Sequence, residues 1–119
     1  MYKATILFRD GNDVVLKFEA YDEARETLKR HCSASDGDLL YAEISYCSAG
    51  YCYTTDYVDR RFGCRGEMIS IGDLVSITSK DGSLLYGDVE EINPVDGMVQ
   101  VSVFDDHAGD GWYGVEHII

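Results

Sequence analysis

The sequence predicts an α+β fold, with a ββαββ unit over residues 1–65 followed by a small β-barrel over residues 66–119. Three observations support this expectation. A single helical stripe lies among alternating strands in the first half, and glycine-marked turns divide the second half into short strands. The charge is also unevenly distributed: residues 1–65 carry eleven acidic and nine basic residues, whereas residues 66–119 carry eleven acidic residues and Lys80 alone. Two units with different surfaces are therefore expected.

The first unit is expected to begin with a hairpin and a helix. The run ATILF leads into the turn Asp10-Gly11-Asn12-Asp13, and VVLKFEA returns with apolar residues in alternation. A helix is expected next, with Asp22 at its N-cap and its end between Cys32 and Ala34. The apolar stripe of this helix consists of Tyr21, Ala24, Leu28 and Cys32. Cys32 is therefore interpreted as a small apolar residue that packs against the sheet.

The second hairpin joins LLYAEISYC to YCYTTDYVD, and its register decides which residues meet. A three-residue loop over 48–50 would place Asp56 on the apolar face of the hairpin. A two-residue loop at Ala49-Gly50, or a four-residue loop around it, places tyrosines on that face instead. The sequence favours this second register because it buries more apolar surface and no carboxylate. Cys47 then lies directly opposite Cys52.

The four cysteines are interpreted as ordinary structural residues. Cys47 and Cys52 can meet the geometry of a disulfide, but thiols inside the cell normally stay reduced. A structural zinc site usually needs two closely spaced ligand pairs, and only the pair Cys47–Cys52 has such a spacing. The sequence favours plain hairpin neighbours over structural zinc or a redox pair. It predicts no cofactor and no bound metal.

The second half reads as MISIGDLVSI, KDGSLLYGDVEEI, NPVDGMVQVSVF and GWYGVEHII. In the spacing of its strands and glycines, the stretch 68–119 resembles the SH3-like barrels of KOW and Tudor modules. The resemblance implies five short strands that close into a barrel or near-barrel. The residues expected inside are Val75, Ile77, Val99, Val101 and Val103. A barrel that binds phosphates should carry Lys and Arg, so a single lysine argues against direct binding of nucleic acid.

Three further clusters each permit two interpretations. The segment DDHAGDGW, residues 105–112, is either a weak cation site or a solvated turn, and the turn is favoured. Tyr86, Trp112 and Tyr113 offer an aromatic cage of the Tudor type, although such rings usually close the barrel itself. The basic cluster in RRFGCRG, residues 60–66, would suit phosphate, but neutralisation of the adjoining acidic surface is favoured.

The chain is not expected to be an enzyme, because it contains no G-x-S-x-G, Walker loop, H-E-x-x-H or dinucleotide fingerprint. Its first residues, MYKATILFRDGN, lack the layout of a signal peptide, and no apolar run approaches the length of a membrane span. The expectation is a cytoplasmic protein with no membrane partner. Tyrosines concentrate on the second hairpin beyond what a small core can bury, which is typical of protein interfaces.

The sequence therefore predicts a small acidic interaction protein that binds a basic protein or nucleoprotein complex. In its sharpest form this is an inhibitor that mimics nucleic acid, similar in size and charge to anti-CRISPR and anti-restriction proteins of phage. The alternatives are a reader module for a peptide or methylated side chain, and a small thiol or metal protein. The expected partner-binding residues are Asp88, Glu90, Glu91, Asp105, Asp106, Asp110, Tyr51, Tyr53, Trp112 and Tyr113.

Overall fold

Two antiparallel sheets and one helix make up the fold in the computed structural model, which describes residues 1–34, 38–60, 68–78, 82–104, 111–114 and 117–118. The elements in chain order are β1 (Tyr2–Phe8), β2 (Asp13–Phe18), α1 (Tyr21–Ala34), β3 (Leu39–Ser48), β4 (Tyr51–Asp59), β5 (Ile69–Ser70), β6 (Leu74–Thr78), β7 (Leu84–Asn93), β8 (Met98–Val103) and β9 (Gly111–Gly114). The first sheet has the order β2-β1-β3-β4-β5 and the second the order β6-β7-β8-β9.

The helix covers one face of the first sheet, as the apolar stripe predicts. Ala24 and Leu28 are fully buried and pack with Ala4, Ile6 and other apolar residues of β1, β3 and β4. Burial of a leucine side chain stabilises a fold by about 1.5–3 kcal/mol, so Leu28 is a principal anchor of the helix. Cys32 is half-buried against the same cluster, in agreement with its predicted packing role.

A β-bulge in β4 reverses the faces of this strand. Cys47 pairs with Cys52 across the predicted Ala49-Gly50 loop, but the register shifts where Ile44 pairs with Asp56 and Ser45 with Thr54. Thr55 is the extra residue, so the side chains that follow it exchange faces. The prediction that this register keeps Asp56 off the apolar face is therefore wrong.

The carboxylate of Asp56 is fully buried between the helix and the sheet. It accepts hydrogen bonds from the hydroxyls of Tyr21 at 2.8 Å, Thr55 at 2.7 Å and Ser70 at 2.5 Å. The Nε atom of Arg25 lies 3.8 Å from the same carboxylate. Because three hydroxyls and a guanidinium surround it, the buried charge is compensated, and it joins α1, β4 and β5.

The second core lies between the two sheets. Val89, Val99, Val101 and Val103 are buried there with Ile77, and Val75 packs against them at partial exposure. Tyr57 of β4 is fully buried in this cluster, so the bulge that buries Asp56 on one face also delivers a tyrosine to the other. The hydroxyl of Tyr57 donates a hydrogen bond to the buried carboxylate of Asp59.

The predicted fold class, a ββαββ unit followed by an SH3-like barrel, is wrong. The first sheet recruits β5 from beyond residue 65, where Ser70 pairs with Asp56. The second sheet is an open four-stranded meander whose inner face packs on β4 instead of closing on itself. In the described part of that sheet, a single isolated bridge between Ile77 and Ile118 links the end of the chain to β6. The predicted domain boundary falls in 61–67, outside the described residues.

Among the described residues, no helix has the length and apolar character that crossing a membrane requires.

Candidate functional site

An open groove of about 860 Å³ lies between the β3–β4 hairpin and the β7–β8 end of the second sheet. It is the place where surfaces of both sheets meet. The residues that line it are Lys3, Glu43, Ser45, Tyr51, Cys52, Tyr53, Thr54, Ile71, Glu90, Glu91, Ile92, Asn93, Pro94, Val95 and Trp112. A groove built from two sheets presents a fixed surface, because the strands on either side are held by their own ladders.

A β-bulge in β7 places two carboxylates side by side on this groove. Val89 pairs with Val101 and Glu91 pairs with Gln100, so Glu90 is an extra residue in β7. In a regular strand, consecutive side chains point to opposite faces, and one of the two glutamates would face the core. With the bulge, both Glu90 and Glu91 are exposed. Bulges often re-aim side chains in this way at functional positions.

The opposite side of the groove adds a third carboxylate. Glu43 of β3 accepts a hydrogen bond of 3.1 Å from the hydroxyl of Thr54, which fixes the direction of its side chain. Lys3 of β1 is the basic residue among those that line the groove. Three glutamates against one lysine give the described lining an excess of two negative charges.

Large aromatic side chains stand at the rim of the groove. Tyr51 is 70% exposed and Trp112 is 42% exposed, and Tyr53 lies between them in exposure. Val95, in the turn between β7 and β8, is 90% exposed. Aromatic residues of this kind are enriched in interfaces, where they contribute large contact area with little loss of conformational freedom. Acidic walls with an aromatic rim suit a ligand that combines positive charge with apolar stems.

Five tyrosines from α1, β1 and the β3–β4 hairpin form a continuous row of ring contacts. Ring centroids are 5.5 Å apart between Tyr21 and Tyr2, 5.0 Å between Tyr2 and Tyr46, and 5.7 Å between Tyr46 and Tyr53. Tyr51 continues the row at 6.4 Å from Tyr53. These distances are typical of favourable aromatic pairs. The row lies on the face of the first sheet that carries α1, opposite to the face of Ser45, Cys52 and Thr54, so Tyr51 and Tyr53 border the groove at the edge of β4.

Five of the ten predicted partner-binding residues come together in the groove: Glu90, Glu91, Tyr51, Tyr53 and Trp112. Asp88 lies on the same strand but pairs with Leu74 and Ser102 and is half-buried, away from the groove lining. Tyr113 packs against the second core. The three predicted aspartates of the 105–110 loop lie outside the described residues.

The predicted aromatic cage is divided between surfaces. Trp112 pairs with Gln100 and lines the groove, whereas its neighbour Tyr113 pairs with Val99 and packs in the core. Consecutive residues of a strand point to opposite faces, which explains the separation. Trp112 instead shares a row with Gln100 and Glu91 across three strands. The groove thus combines this tryptophan with a carboxylate.

The hairpin tip beside the groove is closed by a disulfide between Cys47 and Cys52, whose Cα atoms are 4.2 Å apart. The sequence favours two facing thiols at this position, and the structure has the disulfide instead. The two loop residues, Ala49 and Gly50, have φ values of 52° and 79°. The left-handed conformation costs a residue with a Cβ atom roughly 1–2 kcal/mol, so Ala49 is strained.

The thiol of Cys32 behaves differently. Burial raises its pKa, an effect that the nearby guanidinium of Arg60 partly offsets. A thiol whose pKa is raised stays protonated and unreactive, which fits its place in the first core. Among the described residues, no three His, Cys, Asp or Glu side chains cluster closely enough to hold a metal ion.

Comparison with known proteins found no family model, curated protein or solved structure that matches the chain. The groove itself is the main guide to function. Sequence reasoning missed Glu43, Lys3 and Val95, which line it. Glu43 could have been found from its position on the polar face of β3, but its partner surface depends on how the sheets pack. Strand periodicity contains no information on that packing.

Proposed function

We propose that the protein is an acidic interaction protein that binds a basic segment of another protein in the groove between its sheets. The observation that supports this most directly is the convergence of Glu43, Glu90 and Glu91 with exposed tyrosines and Trp112 on one groove. These residues come from distant parts of the sequence. Their assembly on one surface gives the acidic and aromatic signals of the sequence a common location.

The chemistry of the groove fits arginine and lysine side chains. Carboxylates pair with their charged ends, and aromatic faces attract the same cations while their rings cover the apolar stems. Exposed ion pairs contribute only about 0–1 kcal/mol each, so the aromatic rim must supply much of the affinity. The carboxylates then contribute mainly to specificity and to the rate of encounter.

The net charge of −12 determines which partners are excluded. A surface of one sign repels the phosphates of free nucleic acid and attracts a basic surface. The sharpest form of the proposal is therefore an inhibitor that occupies the phosphate-binding surface of a nucleic-acid-binding complex in the cytoplasm. This role corresponds to that of phage anti-CRISPR and anti-restriction proteins, with which the chain shares small size and acidic character.

A binding assay with a fluorescein-labelled oligoarginine peptide tests the proposal. The variant Glu90→Gln/Glu91→Gln removes two charges from the groove, and Asp13→Asn/Glu19→Gln removes two exposed charges from the far side of the first sheet. We expect the groove variant to bind at least about fivefold more weakly, as the loss of two exposed pairs implies, and the control variant to match the wild type. Equal affinities for both variants would reject the groove as the binding surface.

Two further arms separate the proposal from its alternatives. A labelled DNA oligonucleotide should not bind, and an excess of the protein should displace that oligonucleotide from a basic DNA-binding protein. A reader of methylated side chains would give another pattern: binding of a trimethyllysine peptide that is lost in Trp112→Ala and kept in the Glu90→Gln/Glu91→Gln variant.

A further inference from the structure

The disulfide Cys47–Cys52 lies directly beside the proposed binding groove. Cys52 is exposed and lines the groove, and its sequence neighbours Tyr51 and Tyr53 form part of the rim. Cys47 lies across the hairpin and donates its backbone N–H to the carbonyl of Met1 in the direction of β1. The sulfur–sulfur bond is thus the covalent link between the rim strand and the rest of the sheet at this position.

The two residues of the turn that this bond closes are not the residue types that stabilise such a turn. A two-residue loop with positive φ at both positions favours Asn-Gly or Asp-Gly, whereas this loop has Ala49-Gly50. Alanine is strained at a φ of 52° because its Cβ atom crowds the following carbonyl. The disulfide therefore maintains a tip that its own turn residues disfavour.

We propose that this disulfide is a redox gate for the groove, and that its reduction weakens the binding of basic partners; the inference rests on the proposed function. A dithiol reductant supplies the two electrons and two protons. Its thiolate attacks the exposed Cys52 sulfur, and the Cys47 thiolate leaves and is protonated. The second thiol of the reductant then attacks the mixed disulfide and releases the Cys52 thiolate, which is also protonated. The products are two protein thiols and an oxidised reductant.

The consequence for binding follows from the position of the rim. With the bond formed, Tyr51 and Tyr53 are held in place before the partner arrives. After reduction, the strained turn relaxes, and the partner must order both side chains when it binds. Disulfides of proteins in a reducing compartment are usually transient and sense the redox state. Because Tyr51 and Tyr53 are ordered in advance when the bond is formed, the oxidised protein is the high-affinity form.

The test uses protein in which Cys32 is replaced by alanine and Cys64 by serine, so that Cys47 and Cys52 are the remaining cysteines. Hydrogen exchange of the backbone amides of residues 51–54 is measured with and without a dithiol, in the absence of any ligand. We expect faster exchange at these amides after reduction and unchanged exchange in α1. Identical exchange in the two states would overturn the gate, whatever the protein binds.

Binding of labelled oligoarginine is then measured in both states. We expect reduction to weaken binding about tenfold, since two rim side chains must be ordered on binding. The variant Ala49→Asn, whose side chain tolerates the left-handed conformation, should keep the oxidised affinity after reduction. Equal affinity of the oxidised and reduced wild type would overturn the gate and leave the groove proposal standing. Failure of the oxidised protein to bind would overturn the proposed function together with the gating of binding.

Discussion

Asp56 shows how one residue joins separate parts of the fold. A carboxylate in an apolar interior is tolerated only when its charge is compensated by hydrogen bonds or an ion pair. Here the partners come from the helix (Tyr21 and Arg25), from β4 (Thr55) and from β5 (Ser70). Because β5 consists of two residues, its attachment to the first sheet depends strongly on this contact.

Replacement of Asp56 by alanine is expected to destabilise the protein by about 3–5 kcal/mol, since it leaves hydroxyls and the Arg25 guanidinium without their buried partner. Urea unfolding monitored by circular dichroism gives the change directly. The exposed Asp13 provides the control, and its replacement by alanine should stay within about 0.5 kcal/mol of the wild type. An Asp56→Ala variant as stable as the control would contradict the role of the network.

The alkaline limb of the stability curve tests the same network. Burial, and then the hydrogen bond to Asp56, raise the pKa of Tyr21 from 10.0 to about 12. A group whose pKa is raised on folding contributes stability that is complete below the unfolded pKa and is lost as the pH rises through the folded value. We expect the wild type to lose stability between pH 10 and about 12 relative to Tyr21→Phe. Parallel curves for the two proteins over that range would show that Tyr21 titrates alike in both states.

At the scale of elements, the packing of β7 against β8 depends on Gly87. A Cβ atom at this position would lie 2.3 Å from the backbone oxygen of Ser102 and 2.7 Å from the Val101 side chain. The backbone atom cannot move without disturbing the ladder. Gly87 therefore permits the close approach of two strands that carry the second core.

We expect Gly87→Ala to lower the free energy of unfolding by about 1–3 kcal/mol, the usual range for an overpacked interior. Ser102→Ala alters a side chain of β8 but leaves the backbone oxygen that faces Gly87 unchanged, so this variant should remain close to the wild type. Thermal unfolding of both variants is the measurement. If Gly87→Ala melts together with Ser102→Ala, the strands have more freedom than the structure indicates.

The elements that the sequence predicts well are those determined by local pattern. Periodicities of two and 3.6 residues predict both hairpins and the helix with Ala24 and Leu28 inward. They also predict the inward side chains of the second sheet, namely Ile77, Val99, Val101 and Val103. The bulges at Thr55 and Glu90 do not follow from these periodicities, because an extra residue in a strand is stabilised by partners distant in sequence. At Thr55 the bulge buries Asp56, and at Glu90 it exposes two carboxylates together.

The sequence pattern also does not determine how the two sheets pack against each other. Short strands with glycine turns are typical of a barrel, but they also suit a meander that packs on another sheet. The decisive residue is Tyr57, which the bulge turns toward the second core. Five predicted partner-binding residues lie on one groove because of this packing, whereas Tyr113, which alternates with Trp112 along β9, packs in the core.

At the scale of the whole molecule, charge and groove act together. In the proposed function, the net charge of −12 attracts a basic partner from a distance, and the groove provides the contacts that hold it. Exposed charges are screened over about 8 Å at physiological ionic strength. Added salt therefore weakens the long-range attraction more than the direct contacts in the groove. The contribution of Glu90 and Glu91 can therefore be separated from that of the general acidic surface.

The salt dependence of the association rate with labelled oligoarginine, measured by stopped-flow fluorescence, tests the central claim most directly. The wild type and the Asp13→Asn/Glu19→Gln control should associate rapidly at low salt and slow steeply and alike as salt is added. The Glu90→Gln/Glu91→Gln variant carries the same net charge as the control, yet it should associate more slowly and with a flatter dependence on salt. If the two variants gave the same rates at every salt concentration, net charge alone would govern binding, and the groove would not be the partner site.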